Sequence, residues 1–271
     1  MPDPIHPTAI VEDGAVIPAS AQIGPYCMVG AGVTLGEGVV LANHVSLRGD
    51  ITLGDRVQVY PNAVLGEPPQ IYGGDPNPGR LEIGPDTVIR EHVTLNLGSS
   101  RQDRLTRIGN ACMLMAGAHV GHDCVVGNHV IMANNATLGG HVTLGNNVFV
   151  GGLSALHQRV RVGDHAFIGG MTGVEQDVIP FGMVTGDRGR LDGLNVVGLK
   201  RRGYSHPAIH RLRAVYRALF FDPRPWADRL AAVRAAHGDD ADVAAILHFI
   251  DAGSQRGIMK ARRGSLHDDP D

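Results

Sequence analysis

The sequence is poor in aromatic residues and in cysteine. Phe, Tyr and Trp make up 4% of the 271 residues, whereas glycine occurs 37 times. A conventional core depends more on aromatic side chains, so this composition favours thin aliphatic layers joined by many tight corners. The three cysteines, Cys27, Cys112 and Cys124, are odd in number and unclustered, which argues against a disulfide framework and fits a reducing compartment.

The sequence also lacks a strong net charge, a leader and a long apolar run. Its formal net charge is -3, which gives no reason to expect nucleic acid as a partner. The N-terminus MPDPIHPTAI lacks the basic and apolar stretches of a signal peptide. No run reaches the ~20 apolar residues of a spanning helix. We therefore expect a cytoplasmic protein without a transmembrane segment.

The dominant feature of the sequence is a repeat of six residues. Aliphatic side chains recur at every sixth position from Ile5 to Leu65, from Ile83 to Leu95 and, after a slip of one residue, from Ile108 to Val174. Such a period fits a short strand plus a turn, repeated so that three units close a coil of about 18 residues. The long constant phase argues against a sandwich of hairpins.

This pattern resembles the hexapeptide-repeat acyltransferases. The resemblance implies a left-handed parallel β-helix, whose handedness the period alone does not give. It also implies a homotrimer with clefts between its subunits. We therefore predict an all-β left-handed parallel β-helix followed by a small α-helical C-terminal domain.

Two segments interrupt the repeat and predict loops that project from the prism. Residues 66–82 and 98–107 are rich in Gly, Pro and charged residues, and loops on a rigid scaffold often carry function. The repeat ends near Pro180. We predict a β-helix domain at 1–190, and a linker with a helical C-terminal domain at 191–271.

The C-terminal segment changes to helical spacing, which predicts three helices. Ser205 is the predicted N-cap of the first, and Asp222 is a candidate N-cap of the second. Gly253 is predicted to end the third helix. The charged residues 254–271 are expected to fray.

Polar residues gather where successive coils stack. Residues about 18 apart share a column, separated by the ~4.8 Å spacing of neighbouring strands. The predicted patch holds His122, Gly140 and Gln158 in one column, Asp123 and His141 in the next, and His157 beside Gln158.

This patch suits acyl transfer from a thioester to a hydroxyl. The neutral imidazole of His122 can accept the hydroxyl proton near pH 7, with Asp123 fixing its tautomer. The Gly140 backbone N–H is a candidate donor to the oxyanion, and Gln158 and His141 are candidates to hold substrate groups. On spacing alone His122 also fits a solvated surface histidine and Gly140 a corner glycine.

Three runs narrow the resemblance to one family. The UDP-N-acetylglucosamine O-acyltransferases of lipid A biosynthesis are closely similar to MAGAHVGHDCVVGNHVIMANNATLGGHV at 115–142, GGLSALHQ at 151–158 and NVVGLKRRGYS at 195–205. The likeness extends over nearly the whole chain. It implies acyl transfer from an acyl-[acyl-carrier-protein] thioester to the 3-hydroxyl of UDP-N-acetylglucosamine, with no cofactor and no metal ion.

The resemblance implies a role for each matching residue. It makes His122 the general base, Asp123 its partner and Gly140 the oxyanion donor. Gly170 matches the position that limits the acyl pocket, where a glycine leaves room for a longer chain. The implied substrate-binding residues are Gln70, His119, His141, His157, Gln158, Asn195, Arg201 and Arg202, the last three at the nucleotide end.

A basic cluster at Lys200–Arg202 predicts contact with an anionic partner. Arginine can bind phosphate through two parallel hydrogen bonds, which suits a UDP-sugar. The cluster could also attract an acidic acyl carrier protein, as could Arg211, Arg213 and Arg217. A plain solvated approach to a helix fits the same residues.

The sequence departs from the family at three positions where polar residues are expected. Ile71 and Gly73 stand in the first loop, and Val197 follows Asn195 by two residues. These departures leave two acceptors open, UDP-N-acetylglucosamine or a related UDP-sugar such as a 3-amino analogue that would give an amide. The candidate replacements for the missing contacts are Asp75, Arg80 and Arg188.

Two other classes of protein stay open. His119, His122 and His141 could form a zinc site of the kind found in β-helical carbonic anhydrases, because zinc needs converging imidazoles. The sequence lacks the His-x4-His spacing expected of that class. An inactive relative that binds acyl carrier protein without chemistry is the other alternative.

Overall fold

The structure is a computed structural model that describes residues 4–100 and 103–262. Short parallel strands alternate with turns, and the chain winds into a triangular prism of stacked coils. The described strands are β1 Ile10–Val11, β2 Gln22–Ile23, β3 Met28–Val29, β4 Val33–Leu35, β5 Val40–Leu41, β6 Ser46–Leu47, β7 Asp50–Leu53, β8 Gln58–Val59, β9 Val64–Glu67, β10 Arg80–Ile83, β11 Val88–Ile89, β12 Thr94–Asn96, β13 Leu105–Ile108, β14 Met113–Leu114, β15 His119–Val120, β16 Val125–Val126, β17 Ile131–Met132, β18 Thr137–Leu138, β19 Thr143–Leu144, β20 Phe149–Val150, β21 Ala155–Leu156, β22 Arg161–Val162, β23 Phe167–Ile168, β24 Gly173–Val174, β25 Gly182–Thr185 and β26 Arg190–Leu194.

These strands form the three faces of the prism. The first sheet has the order β1-β3-β6-β9-β12-β15-β18-β21-β24, the second β22-β19-β16-β13-β10-β7-β4, and the third β2-β5-β8-β11-β14-β17-β20-β23-β25-β26. The chain passes from the first sheet to the second, then to the third, and back to the first. We call the corners between them the first edge (first to second sheet), the second edge (second to third) and the third edge (third to first).

The core is a set of aliphatic columns inside the prism. In most strands the second residue points inward, and the register places Val120 against Leu138 and Leu138 against Leu156. All three are at most 2% exposed. Each such side chain contributes roughly 1.5–3 kcal/mol of burial free energy. The six-residue period predicted from the sequence is therefore confirmed as the spacing of these inward aliphatic side chains.

Glycines and larger residues have different roles at the corners. The positive φ is often carried by larger residues, such as Asp123 (60°) and His141 (62°). The glycine after the aliphatic residue is needed for close approach between coils. A Cβ at Gly24 would lie 2.7 Å from Ala42 O, and one at Gly127 would lie 2.7 Å from Gly145 C.

Both predicted loops leave the prism at the first edge, because each connects the first sheet to the second. They are shorter than the ranges 66–82 and 98–107, since β9, β10 and β13 extend into those ranges. Leu81 and Thr106 are fully buried there. Thr106 is polar and so gives no hydrophobic signal, which is why the sequence placed it in a loop.

The second edge is held together by a ladder of polar side chains. Asn128 Oδ1 accepts a hydrogen bond from Asn110 N (2.8 Å), Asn146 Oδ1 from Asn128 N (2.9 Å), and Asp164 Oδ1 from Asn146 N (2.9 Å). Each side chain thus binds the backbone of the preceding coil. The ladder satisfies donors that the strands leave unpaired at the turns.

The parallel repeat ends with an antiparallel pair, β25 and β26, and four helices follow. They are α1 Val196–Arg201, α2 His206–Phe220, α3 Trp226–His237 and α4 Ala241–Asp251. The short α1 was not predicted and lies in the expected linker. The division at residue 190 stays a prediction. None of the described helices has the length and apolar character needed to cross a membrane.

The helix caps test the sequence predictions individually. Ser205 Oγ accepts a hydrogen bond from Ala208 N, which confirms this N-cap, and Gly253 follows α4 with a φ of 74°. The Asp222 prediction is wrong, because its carboxylate binds Arg224 and α3 begins after Pro225 without a side-chain cap.

The prediction that residues 254–271 fray is also partly wrong. Ile258 and Ala261 form bridges to Asp177 and Leu191, and Met259 is buried. Residues 263–271 lie outside the described part of the chain.

Candidate active site

Three stacked turns build the polar patch at the first edge. The backbone N–H of His141 donates to His122 O (2.9 Å), and that of Arg159 donates to Gly140 O (3.1 Å). His122 and Gly140 therefore lie in adjacent coils at equivalent positions, as do Asp123 and His141. The stacking predicted from the 18-residue spacing is confirmed.

His122 and Asp123 form a buried hydrogen-bonded pair. His122 Nδ1 lies 2.7 Å from Asp123 Oδ2, and each residue is 8% exposed. Because Asp123 is a carboxylate acceptor, we assign the imidazole proton to Nδ1, which leaves Nε2 with a lone pair. In this tautomer, Nε2 is the ring nitrogen able to accept a proton.

The carboxylate of Asp123 is fixed from the second loop. Its Oδ1 accepts a hydrogen bond from the Ser99 backbone N–H (2.8 Å), and its own N–H donates to Thr106 Oγ1 (2.9 Å). The first loop braces the second, since Asp75 Oδ2 accepts from the Ser100 backbone N–H (2.7 Å). A relay of hydrogen bonds and backbone thus connects Asp75 to the imidazole.

Gly140 faces the imidazole directly. A Cβ at this position would lie 2.7 Å from His122 Nε2, so any side chain would collide with the ring. In the described part of the chain, the Gly140 backbone N–H has no hydrogen-bond acceptor. An unpaired N–H beside a proton acceptor is the arrangement that oxyanion stabilisation requires.

His141 packs against the same pair. Its ring meets that of His122 edge-on, with centroids 4.9 Å apart. Its Nδ1 is buried without a hydrogen-bond partner among the described residues and lies 3.7 Å from Asp123 Oδ2. Burial lowers the pKa of His141, although Asp123 opposes the shift. The environment of His141 therefore favours its neutral form.

These groups open into a pocket of about 290 Å³. It contains four residues expected to bind substrate or act on it, and four that the sequence did not single out as site residues. The expected ones are Gln70, His122, His141 and Gln158, and the others are Ile71, Tyr72, Ser99 and Arg159. Arg159 could have been found by counting, because it lies 18 residues after His141.

Two expected residues lie near the pocket without lining it. His119 stands on β15, where burial lowers its pKa and Nδ1 pairs with Thr94 Oγ1 at 2.8 Å. His157 precedes Gln158 and is exposed, with Nδ1 3.2 Å from Gln158 O.

Gly170 lies at the third edge, across the first sheet from His122. The outward residues of the first sheet between these edges run from His119 to Thr137, Ala155 and Gly173. The face becomes progressively less bulky along this column. A Cβ at Gly170 would meet nothing closer than Gly152 O at 3.4 Å, so space is open beside it.

The expected nucleotide-binding residues belong to the second edge. Asn195 caps α1 and donates through Nδ2 to His165 O (2.9 Å). Arg202 donates through Nη2 to Asn147 O (3.1 Å), and Arg201 is exposed at the end of α1. His165 and Asn147 are second-edge turn residues, so one chain does not bring these groups to His122.

The predicted zinc-ligand set of His119, His122 and His141 is wrong. In the part of the chain that the structure describes, the atoms that approach one another as metal ligands would (within 4.8 Å) belong to His122, Asp123 and His141. His119 is absent from this cluster, since Thr94 holds its ring on β15.

Comparison with known proteins shows to which family this chain belongs. The model of UDP-N-acetylglucosamine O-acyltransferase domain 2 matches residues 177–259, and that of the bacterial transferase hexapeptide matches 105–140. The acyl-[acyl-carrier-protein]–UDP-N-acetylglucosamine O-acyltransferase of Azorhizobium caulinodans is 53% identical over 260 residues, which cover 96% of each chain. This chain belongs to the UDP-N-acetylglucosamine O-acyltransferase family. The equivalent protein of Rhizobium johnstonii is 43% identical over 96% of each chain.

Solved members of the family have the same fold. An LpxA structure from Acinetobacter baumannii superposes with a TM-score of 0.92 at 34% identity, covering 95% of this chain and all of the other. The UDP-N-acetylglucosamine acyltransferase of Francisella novicida also gives 0.92, at 30% identity, covering 96% and 95%. The predicted left-handed parallel β-helix with C-terminal helices is thereby confirmed.

The departures from the family pattern fall around the pocket and on α1. Ile71 lines the pocket, while Gly73 has a φ of 85° and no atom within reach of a Cβ. Val197 is 60% exposed. Of the suggested replacements, Asp75 already holds the second loop, Arg80 pairs with Glu82, and Arg188 lies by Gly173 and Glu175.

Proposed function

We propose that this chain transfers the acyl group of an acyl-[acyl-carrier-protein] thioester to the 3-hydroxyl of UDP-N-acetylglucosamine, the first step of lipid A biosynthesis. The observation that carries the proposal is the imidazole of His122, fixed by Asp123 and facing the unpaired Gly140 N–H. Family relatives with this activity in their names match nearly the whole chain.

The reaction is a direct displacement at the thioester carbonyl. His122 Nε2 takes the proton of the 3-hydroxyl as the sugar oxygen attacks the carbonyl carbon. The Gly140 N–H donates to the oxyanion of the tetrahedral intermediate. When the C–S bond breaks, the imidazolium returns its proton to the departing thiolate. An ester and a free thiol result, and His122 is neutral again.

The nearest thiol is unsuited to a covalent route. Cys124 follows Asp123, is fully buried, and burial raises its pKa to about 12. A protonated, buried thiol is a poor nucleophile. The hydroxyl of the acceptor therefore attacks the thioester itself, and no cofactor or metal ion enters the scheme.

The remaining residues bind the substrates in this proposal. Gln70, His141 and Gln158 line the pocket that receives the sugar, with His119 and His157 at its margin. The acyl chain lies along the first sheet, where side chains become smaller towards Gly170.

We further propose that the site is completed in a homotrimer. Asn195, Arg201 and Arg202 are attached to the second edge, whereas His122 lies at the first. If these residues bind the nucleotide, they must come from a neighbouring copy whose second edge meets this first edge. Three copies around one axis close such a contact.

The acyl donor docks on basic residues of the C-terminal part in this proposal. Lys200 and Arg201 are exposed and adjacent at the end of α1, and Arg213 is half-buried on α2, while Arg211 pairs with Asp240 at 2.8 Å. An acidic carrier protein is attracted by such a surface. The same substrates place the protein in the cytoplasm.

Turnover with defined substrates tests the function. Purified protein is given a panel of acyl-[acyl-carrier-protein] thioesters with UDP-N-acetylglucosamine or its 3-amino analogue, and products are identified by mass spectrometry. An ester of UDP-N-acetylglucosamine that His122→Ala fails to form supports the proposal. An amide from the amino sugar alone would replace the acceptor. No product from either would favour the inactive carrier-protein binder.

Mixed oligomers test the trimer. Variants His122→Ala and Arg202→Ala, each impaired alone, are coexpressed with different tags and the mixed species is purified. Recovery of activity is expected, because a mixed trimer contains contacts between an intact first edge and an intact second edge. A monomeric mass, or no recovery in a mixed trimer, would refute the shared site.

A further inference from the structure

Arg159 is placed at the mouth of the pocket by the stacking of the first edge. It follows Gln158, has a φ of 67°, and forms the third member of a column with Asp123 and His141. Its N–H donates to Gly140 O, so its backbone is fixed beside the oxyanion donor. Its side chain lines the pocket together with His122 and His141.

Several other arginines of the prism, unlike Arg159, pair with carboxylates. Arg56 pairs with Asp86 (2.7 Å) and Arg161 with Asp177 (2.7 Å). Within residues 4–100 and 103–262, no carboxylate reaches Arg159. The carboxylate behind the pocket lining, Asp123, is already bonded to His122 and Ser99. Arg159 therefore presents a charge that the folded chain leaves for another molecule.

The charge of Arg159 acts on His141 inside the pocket. Burial is the main cause that lowers the pKa of His141, and Arg159 adds to the same shift. The other groups that line the pocket are neutral side chains apart from the titratable histidines. A guanidinium in this position favours an anion over a neutral group, and its planar donors match a phosphate.

We propose that Arg159 binds a phosphate group of a substrate in this pocket and thereby sets the affinity for that substrate. The inference rests on the proposed function, which brings two such groups to the site. One is the diphosphate of the UDP-sugar, and the other is the phosphodiester of the carrier-protein arm. Ile71 and Gly73, in the facing loop, offer no competing charge.

Steady-state kinetics of three variants test the assignment. Arg159→Gln removes the charge, Arg159→Lys keeps it without the planar donors, and Arg56→Gln is the matched control. Arg56 is also a turn arginine with positive φ, but it lies at the second edge. We expect Arg159→Gln to raise one KM about tenfold or more, as loss of a charged hydrogen bond does, with kcat little changed. Arg159→Lys should recover part of the affinity. Arg56→Gln should leave both KM values unchanged.

The two KM values identify the source of the phosphate. A rise for UDP-N-acetylglucosamine assigns the contact to the diphosphate, and a rise for acyl carrier protein assigns it to the arm. Unchanged KM values for both substrates in Arg159→Gln would overturn the proposal. An equal rise in Arg56→Gln would also overturn it, because the effect would then reflect net charge.

Calorimetric titration with UDP and with 4′-phosphopantetheine separates this inference from the proposed function. If the wild-type protein turns over no substrate, yet binds one of these probes and Arg159→Gln weakens that binding, the activity fails and the phosphate site stands. If turnover occurs and the variant binds both probes as the wild type does, the activity stands and the phosphate site fails.

Discussion

The first and second edges of the prism are built from equivalent turns but have different roles. At the second edge, the residue after the corner glycine is Asn128, Asn146 or Asp164, and each side chain satisfies the backbone N–H of the preceding coil. At the first edge the equivalent residues are His122, Gly140 and Gln158.

The two edges differ because the ladder of side chains is interrupted at Gly140 of the first edge. Gly140 has no side chain to bind the coil below, which leaves space for the His122 ring, and its own N–H is not used by the fold. At the second edge, the polar side chains hold neighbouring coils together. The first edge leaves one imidazole nitrogen and one amide N–H unpaired, which is what a reacting thioester needs.

Removing the imidazole should have the largest effect. His122→Ala is expected to lower kcat by about 10²–10⁴-fold, the range for loss of a general base, with little change in the unfolding midpoint. His44→Ala, in a third-edge turn, is the control and should keep its kcat. A rate near the wild type in His122→Ala would show that another group removes the proton.

Filling the gap in the first edge should be the next most damaging change. Gly140→Ala places a Cβ 2.7 Å from His122 Nε2, so the ring must turn away from the amide. We expect kcat to fall about 10²-fold, as for loss of one oxyanion contact. Thermal melting followed by circular dichroism checks that the coil is intact. Normal turnover would remove this amide from the mechanism.

Removing a rung from the second edge should reverse the pattern, with stability lost and activity kept. Asn146→Ala leaves the Asn128 N–H without its acceptor, at a cost of about 1–3 kcal/mol for a donor left unsatisfied. Urea unfolding measures this cost, and kcat is measured on the same sample. A fall in kcat in the folded variant would mean that this rung also positions catalytic groups of a neighbouring copy.

Loosening the brace of the first edge should have a smaller effect on catalysis. Asp75→Ala frees the Ser100 N–H and, through Ser99, the carboxylate of Asp123. We expect kcat to fall roughly tenfold, since misplacement of a catalytic pair is costly. Asp75→Asn keeps an oxygen acceptor and should retain most of the rate. Equal loss in both variants would point to the charge of Asp75 instead.

The pH dependence of stability should show a small contribution from each edge. Burial lowers the pKa of His141 and of His165, so folding disfavours the protonation of both, whereas the unfolded chain protonates them near pH 6.5. The free energy of unfolding should therefore fall as the pH drops below about 6.5.

A second-edge variant isolates that contribution. His165 stacks on Phe181, and His165→Phe should keep the stack while flattening the dependence between pH 7.5 and 5.5. Urea titrations at both values measure it. An unchanged slope would assign the effect to other groups.

Most of the prism could be predicted from the sequence, because one aliphatic residue in six fixes the phase of every coil. The same counting placed His122 against Gly140, and it extends to Arg159. Ser99 could not be found this way, since it contributes a backbone N–H and its side chain carries no signal.

The C-terminal part was less predictable because packing and not repetition places it. The helices were expected, but nothing in the repeat says that Asn195 and Arg202 attach to the second edge. Asp222 illustrates the limit of local rules, since an arginine two residues later takes the carboxylate that would have capped α3.

The shared origin of both loops at the first edge has a consequence for how this chain can vary. Within the coils, one inserted residue would turn every later side chain to a different face. The one-residue slip after Leu95 is absorbed in the second loop, beside the pocket. A change of loop length at this edge would therefore alter the lining of the pocket while the hydrophobic columns keep their phase.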